Sequence, residues 1–121
     1  MTRNRASAKA AGSRFERQIA DALAAHVDKR IDRAPRRGAR DQGDVGNVYD
    51  TRGHAYVLEC KNVLRLDLPA WTREAYAEGV NAGALVGVVV HKRHGVSDPM
   101  AQWVSMTVAD LVAILNGRYP E

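Results

Sequence analysis

Phe15, Ile19, Leu23 and Val27 recur at every fourth position, which lines them up on one face of an α-helix and predicts an amphipathic helix over 14–27. Ser13 followed three residues later by Glu16 is a capping-box pattern that sets the helix start there. Residues 1–12 are basic, rich in Ala and Ser, and carry no apolar period. They are expected to form a flexible basic arm or a loose extension of that helix. Pro35, Gly38 and Gly43 punctuate a basic stretch over 29–43, which reads as a loop or a short edge strand. Strand character returns at Val45–Asp50 and Ala55–Lys61, and Thr51–His54 between them reads as a hairpin turn. Pro69 suits the first turn of a second helix over 69–82. The β-branched run Ala84–His91 has the unbroken apolar character of a strand buried on both faces. A further strand is expected at 102–106. Thr107 and Asp110 cap a last helix that ends at Gly117. The order α-β-β-α-β-β-α predicts an α/β fold: a single domain over 13–121, with one mixed sheet flanked by helices.

Composition narrows the class. The chain has 121 residues, enough for one compact domain and no second one. Its 45% hydrophobic and 26% charged content is ordinary for a globular protein. The longest apolar run, Ala84–Val90, is seven residues and too short to cross a bilayer. No apolar segment follows the charged start of the chain, so no secretory signal is expected. Cys60 is the lone cysteine, which fits a reducing, cytoplasmic setting. Charge is segregated. Residues 1–17 carry a net +4, residues 29–40 a net +5, and the remainder a net −5. Concentrated positive charge of this kind attracts polyanions, nucleic acid first among them.

The candidate chemistry lies in Gly43-Asp44-Val45 and Leu58-Glu59-Cys60-Lys61. Strand side chains alternate, so Glu59 and Lys61 share one face while Leu58 and Cys60 share the other. Charged groups on the inward face of an apolar strand are costly unless they are paired or used. A hairpin brings Asp44, at the start of one strand, beside Glu59 near the end of its partner. Two crowded carboxylates repel unless a proton or a cation sits between them. Their hard oxygens suit Mg²⁺ or Mn²⁺, which activates a bound water and neutralises charge on a phosphoryl oxygen. Lys61 would then orient that water or stabilise the transition state.

These residues resemble the signature of the PD-(D/E)XK nuclease superfamily. The wider layout looks like the archaeal-type Holliday junction resolvases. That layout is Gly12-Ser-Arg-Phe-Glu-Arg17 opening a helix, a basic loop, Gly43-Asp44-Val45, Val57-Leu-Glu-Cys-Lys61 and a following helix. The resemblance runs from about residue 12 to about residue 106. It implies a restriction-endonuclease-like core and a metal-dependent endonuclease acting on branched DNA as a homodimer. Asp44 and Glu59 would ligate Mg²⁺ or Mn²⁺ with help from the Cys60 backbone carbonyl. Lys61 would be the catalytic lysine and Glu16 the additional acidic residue of the first helix. Gly43 stands where the superfamily name has Pro, and the 36–42 loop lacks the Ser expected in some resolvases.

Glu16 has a second explanation as the N3 partner in the Ser13 capping box, and the two roles are compatible. Arg36, Arg37 and Arg40 precede Asp44 closely and are candidate DNA contacts, as are Arg3, Arg5 and Lys9 of the arm and Arg14 just beyond it. Gln42 is a candidate contact to the scissile phosphate or a water. Glu74 and Tyr76 lie on the second helix, where some superfamily nucleases place a helper residue; an ordinary amphipathic surface is the alternative. Trp71 reads as core or dimer interface, and Cys60 as a buried apolar residue. Two other functions remain distinct from the resolvase. One is a PD-(D/E)XK nuclease acting on duplex or single-stranded nucleic acid in repair or restriction. The other is a non-catalytic nucleic-acid-binding module.

Overall fold

The computed structural model describes residues 4–121; Arg3 lies outside the described residues. The first helix, α1, spans Arg5–His26, so it starts well before Ser13. Asn4 is the N-cap. Its side chain accepts from the Ser7 N–H at 2.8 Å, and the Ser7 hydroxyl accepts from the Asn4 N–H at 3.0 Å. That reciprocal pair occupies the capping role expected of Ser13 and Glu16. The Ala-rich stretch expected to form an arm has high helix propensity, and it carries the helix through residues 5–12.

A two-residue strand, β1 (Asp32–Arg33), follows and pairs antiparallel with β2 (Val45–Tyr49). β2 pairs antiparallel with β3 (Ala55–Lys61) through the expected hairpin. The register shifts between Val45 and Val48, where Asn47 takes a φ of 65°. Its Nδ2 donates to the Arg30 carbonyl at 2.9 Å, which anchors this bulge to the loop after α1. Helix α2 (Leu68–Ala82) begins with the Asp67 cap and Pro69 in its first turn. It crosses over to β4 (Val86–His91), which runs parallel to β3, the arrangement that needs an intervening helix. β5 (Trp103–Ser105) closes the far edge antiparallel to β4. Helix α3 (Val108–Asn116) has the capping box of Thr107 and Asp110 and stops at Gly117, as the pattern predicted. The sheet order is β1-β2-β3-β4-β5, one mixed sheet in an α/β domain.

Strand alternation sorts the two faces. Leu58, Cys60, Val86, Val88 and Val90 pack with Phe15 and Ile19 of α1 and Ala113 of α3. Val89 packs on the opposite side with Trp71 and Ala75 of α2. All six β4 residues are buried, as expected for a strand covered on both faces. Gly87 lets α2 come close: a Cβ there would lie 1.9 Å from the Ala75 carbonyl oxygen. On β3, Glu59 and Lys61 lie on the α2 side, opposite Leu58 and Cys60.

Candidate active site

Gly43, Asp44 and the end of β3 build one side of a cleft. Gly43 has a φ of 91°, a conformation closed to proline, whose ring holds φ near −65°. A Cβ at this position would also come within 2.6 Å of Val57 Cγ1 and 2.9 Å of the Leu58 carbonyl oxygen. Glycine therefore stands here for two reasons, the turn and the close approach of β3. The turn brings the Asp44 N–H to the Leu58 carbonyl at 2.8 Å. The Asp44 carboxylate in turn accepts from the Cys60 N–H at 2.8 Å. Asp44 is thereby fixed one residue away from both Glu59 and Lys61.

The cleft has a volume of about 430 Å³. Asp44, Glu59, Lys61, Glu74 and Glu78 lie in it, and Glu16 and Arg36 border it. Glu59 is the hub. It is 6% exposed, and burial pushes its carboxyl up to about 12, reinforced by hydrogen bonds to the carboxylates of Asp44 and Glu74. Glu78 also hydrogen-bonds Glu59, yet burial pushes Glu78 up to about 7. Burial and the crowding of acidic neighbours thus favour a proton on Glu59, held between the carboxylates. Lys61 Nζ donates to Glu74 at 2.6 and 3.3 Å and lies 3.7 Å from Glu59 Oε2. Burial opposes the ammonium, but the Glu74 hydrogen bond and the surrounding carboxylates outweigh it and raise its pKa. Glu74 is lowered, first by the hydrogen bond from Glu59 and then by Lys61.

Two features bear on whether a divalent cation suits this donor set. One carboxylate oxygen each of Glu59, Glu74 and Glu78 lies within 4.8 Å of the others. Glu78 Oε1 is enclosed and has no hydrogen-bond partner, a state that costs a buried acceptor about 1–3 kcal/mol. Crowded hard oxygens with a free lone pair fit Mg²⁺ or Mn²⁺.

The remaining candidates are spread around this cleft. Glu16 is buried in the middle of α1, far from the N-cap, so the capping role is corrected. Its two oxygens accept from Arg33 at 3.1 Å and Arg36 at 3.0 Å. Arg5 and Lys9 fall on the same side of α1 as Glu16, whereas Arg14 lies roughly 160° around the helix from it. Arg37 and Gln42 line a neighbouring groove rather than the cleft, and Arg40 is exposed in the loop. Gln42 Nε2 reaches the Asn81 carbonyl at 3.5 Å. The Cys60 thiol packs in the core with Leu58 and Val88, and burial raises its pKa. Trp71 is core, with its ring tilted against that of His91 at a ring-centroid distance of 5.6 Å. Tyr76 is exposed and meets Tyr119 edge-on. Sequence reasoning missed Glu78. Its signal was a carboxylate set within the otherwise apolar stripe Trp71, Ala75, Gly79 of α2.

The fold is the mixed α/β sheet of the restriction-endonuclease-like class, with an acidic cleft lined by Asp44, the end of β3 and α2. The chain matches the family described as "Phage putative PDDEXK endonuclease" over residues 7–119 and belongs to it. The protein is thus a nuclease of the PD-(D/E)XK superfamily. No curated protein and no solved structure matches the chain. Among the described residues, no helix is long and apolar enough to cross a membrane.

Proposed function

We propose that the protein is a divalent-metal-dependent endonuclease that hydrolyses DNA phosphodiester bonds in the cleft of Asp44, Glu59 and Lys61. The observation that carries this reading is the convergence of these three side chains, with the Asp44 carboxylate tied to the Cys60 N–H at 2.8 Å. Asp44, Glu59 and the Cys60 carbonyl would hold Mg²⁺ or Mn²⁺. The bound cation supplies an activated water and charge neutralisation at the phosphoryl oxygen. Asp44 holds its carboxylate toward β3 through the Cys60 N–H. To hold the cation, Glu59 would have to release its proton to solvent. Lys61 presents its ammonium to the attacking water or the developing charge on phosphorus.

Glu16 has both oxygens engaged by arginines, which makes it the anchor of Arg36 at the rim of the cleft and of Arg33 in the neighbouring groove. Those guanidiniums, with the loop arginines Arg37 and Arg40 and the helix residues Arg5 and Lys9, form the cationic surface for phosphates. The resemblance to junction resolvases makes a four-way DNA junction, cut by a homodimer, the first substrate to examine.

The test is cleavage of a labelled four-way junction beside a linear duplex of the same sequence, with Mg²⁺, Mn²⁺ or EDTA. Lys61→Ala serves as the control. Metal-dependent cutting lost in the variant supports the nuclease, and paired nicks confined to the junction support the resolvase and its dimer. Equal cutting of both substrates removes the junction preference. Tight DNA binding without turnover in either metal sinks the enzymatic reading and leaves a binding module.

A further inference from the structure

The chain has two tryptophans, and the fold treats them differently. Trp71 of α2 is buried against the sheet, whereas Trp103, at the start of β5, is 50% exposed. Strand register fixes where that exposed ring lies. Lys61 pairs with His91 across the parallel β3–β4 ladder, and His91 pairs with Trp103 across the antiparallel β4–β5 ladder. Directly paired residues share a face, so Lys61, His91 and Trp103 form one row on the α2 face at one end of the sheet. His91 and Ser105 Oγ meet at 2.7 Å, which holds β5 in this register. With strands about 4.8 Å apart, Trp103 stands roughly 10 Å from Lys61. That is a few nucleotides at about 3.4 Å per stacked base. The loop between β4 and β5 is basic and built around the ring. The Lys92 N–H donates to the Lys61 carbonyl at 2.9 Å, so the loop leaves the sheet beside the cleft. Gln102 Oε1 accepts from the Arg93 N–H at 2.7 Å, and its Nε2 donates to the Val96 and Asp98 carbonyls. The Arg93 guanidinium lies 4.7 Å over the Trp103 ring, and among the described residues no carboxylate pairs with it. The acid of this loop, Asp98, is taken up by the Met100 N–H at 2.9 Å.

We propose that Trp103 and Arg93 form a base-stacking platform for an unpaired nucleotide of the DNA substrate, a few nucleotides along the strand from the phosphate at Lys61. An exposed indole offers a flat apolar face and a guanidinium offers a planar cation, and both stack on a nucleobase. A base inside a duplex already has its faces covered by its neighbours, so the platform favours nucleotides that are out of the stack. The occupant is a nucleic-acid strand because the surroundings of the ring are cationic. Lys92, Arg93 and His94 follow one another at the end of β4, and the charge of Arg93 is not committed to an acid. The platform makes DNA with unpaired nucleotides, at a tail, gap or branch, the preferred substrate class over a blunt duplex. The inference rests on the nuclease reading for the path of the strand past Lys61, but binding of an unpaired strand is measured without cleavage.

The experiment titrates the full chain in EDTA with an oligothymidylate, a blunt duplex, and the same duplex carrying an oligothymidylate tail. Tryptophan fluorescence and the anisotropy of the labelled DNA are read together. Trp71 is buried, so quenching by a stacked base reports on Trp103. The oligothymidylate and the tailed duplex should quench the wild type, and the blunt duplex should not. Trp103→Ala should lose the quench and weaken the tailed duplex on the order of tenfold, with blunt-duplex affinity unchanged. Trp103→Phe keeps an aromatic face on the edge strand and should recover most of that affinity; it also gives a reading should Trp103→Ala fold poorly. Arg93→Gln should weaken the tailed duplex as well and flatten its salt dependence by about 0.7 log–log units. Wild-type affinity for the tail in Trp103→Ala, or equal losses on tailed and blunt duplexes, would overturn the platform. A Trp103→Ala protein changed only in its sedimentation would assign the ring to contact between copies and overturn it likewise. Cleavage with Mg²⁺ on the same preparations separates the two readings. Stacking through Trp103 in a chain that never cuts DNA would uphold the platform and sink the enzyme. Metal-dependent cutting, with binding and turnover both indifferent to Trp103, would keep the nuclease and remove the platform.

Discussion

At the scale of single residues, the site depends on a glycine as much as on its charged groups. Gly43 combines a φ of 91° with a hypothetical Cβ contact of 2.6 Å to Val57. Gly43→Ala should destabilise the chain by about 2–4 kcal/mol, from positive-φ strain plus overpacking. Chemical denaturation would read this, and an unchanged midpoint would refute the strained-turn argument. Asp44→Asn is expected to abolish cleavage while DNA affinity holds or rises, because it removes a ligand and a repulsive charge together. Wild-type cutting by that variant would remove Asp44 from the metal site. The common face of Glu59 and Lys61 was legible from two-residue alternation along β3, and the nearness of Asp44 from the hairpin that joins β2 to β3. Glu78 was hidden by its helix, where a lone carboxylate among apolar positions looks like surface until the opposite element is known.

The titration of this cluster gives a residue-scale prediction with a definite sign. Glu78 is raised to about 7 and Glu59 to about 12, so the metal-free folded chain binds protons that the unfolded chain releases above ordinary carboxylate pH. The stability from the neutral Glu78 carboxyl is full below about 4.5 and is lost as pH rises through 7, whereas that from Glu59 is lost only at much higher pH. Burial drives the rise, the Glu59 hydrogen bond opposes it, and the charges of Glu74, Asp44 and Asp41 add to it. Melting in EDTA should therefore show Glu78→Gln gaining on the wild type between pH 5 and pH 8, by at most about 1.4 kcal/mol per pH unit. His91, lowered by burial, stabilises with rising pH in both proteins and cancels in the comparison. Parallel pH curves for the two proteins would show that Glu78 is ionised without a metal.

At the scale of elements, α2 is the piece on which the site depends. It bridges two parallel strands, and its Gly87 contact sets how close Glu74 and Glu78 approach Glu59. Gly87→Ala must move either β4 or the Ala75 carbonyl, which lies 1.9 Å from the added methyl. A loss of about 3 kcal/mol or more is expected, accompanied by weaker Mn²⁺ binding even though no ligand has changed. A stable Gly87→Ala protein with intact Mn²⁺ binding would separate helix packing from the site. The strands and the two later helices were legible because their caps, turns and apolar runs agree with one another. The start of α1 was not. Ser13 and Glu16 satisfy the capping-box spacing, but the Asn4–Ser7 box lies upstream and the alanines between propagate the helix. What Glu16 does depends on Arg33 and Arg36, contacts at separations of 17 and 20 residues that no local pattern reveals.

At the scale of the whole molecule, the question is which of the segregated positive charges meet DNA. The cationic residues are close in sequence but diverge in space. Arg36 borders the cleft, Arg5 and Lys9 extend the Glu16 side of α1, and Arg14 points away from that side of the helix. Counterion release makes the salt dependence of binding a count of phosphate contacts, at roughly 0.9 log–log units per contact on duplex DNA. Neutralising Arg5 and Lys9 together should flatten the slope by roughly two such increments. Arg14→Gln should leave the slope unchanged, although it too removes a positive charge from the same segment. Fluorescence anisotropy of a labelled duplex across a salt series measures both. Equal effects per charge removed would mean that net charge, not the orientation of α1, governs binding. A larger effect from Arg14 would place the DNA on the opposite side of α1, away from the carboxylate cleft, and the proposed path of the backbone past Asp44 would fail with it.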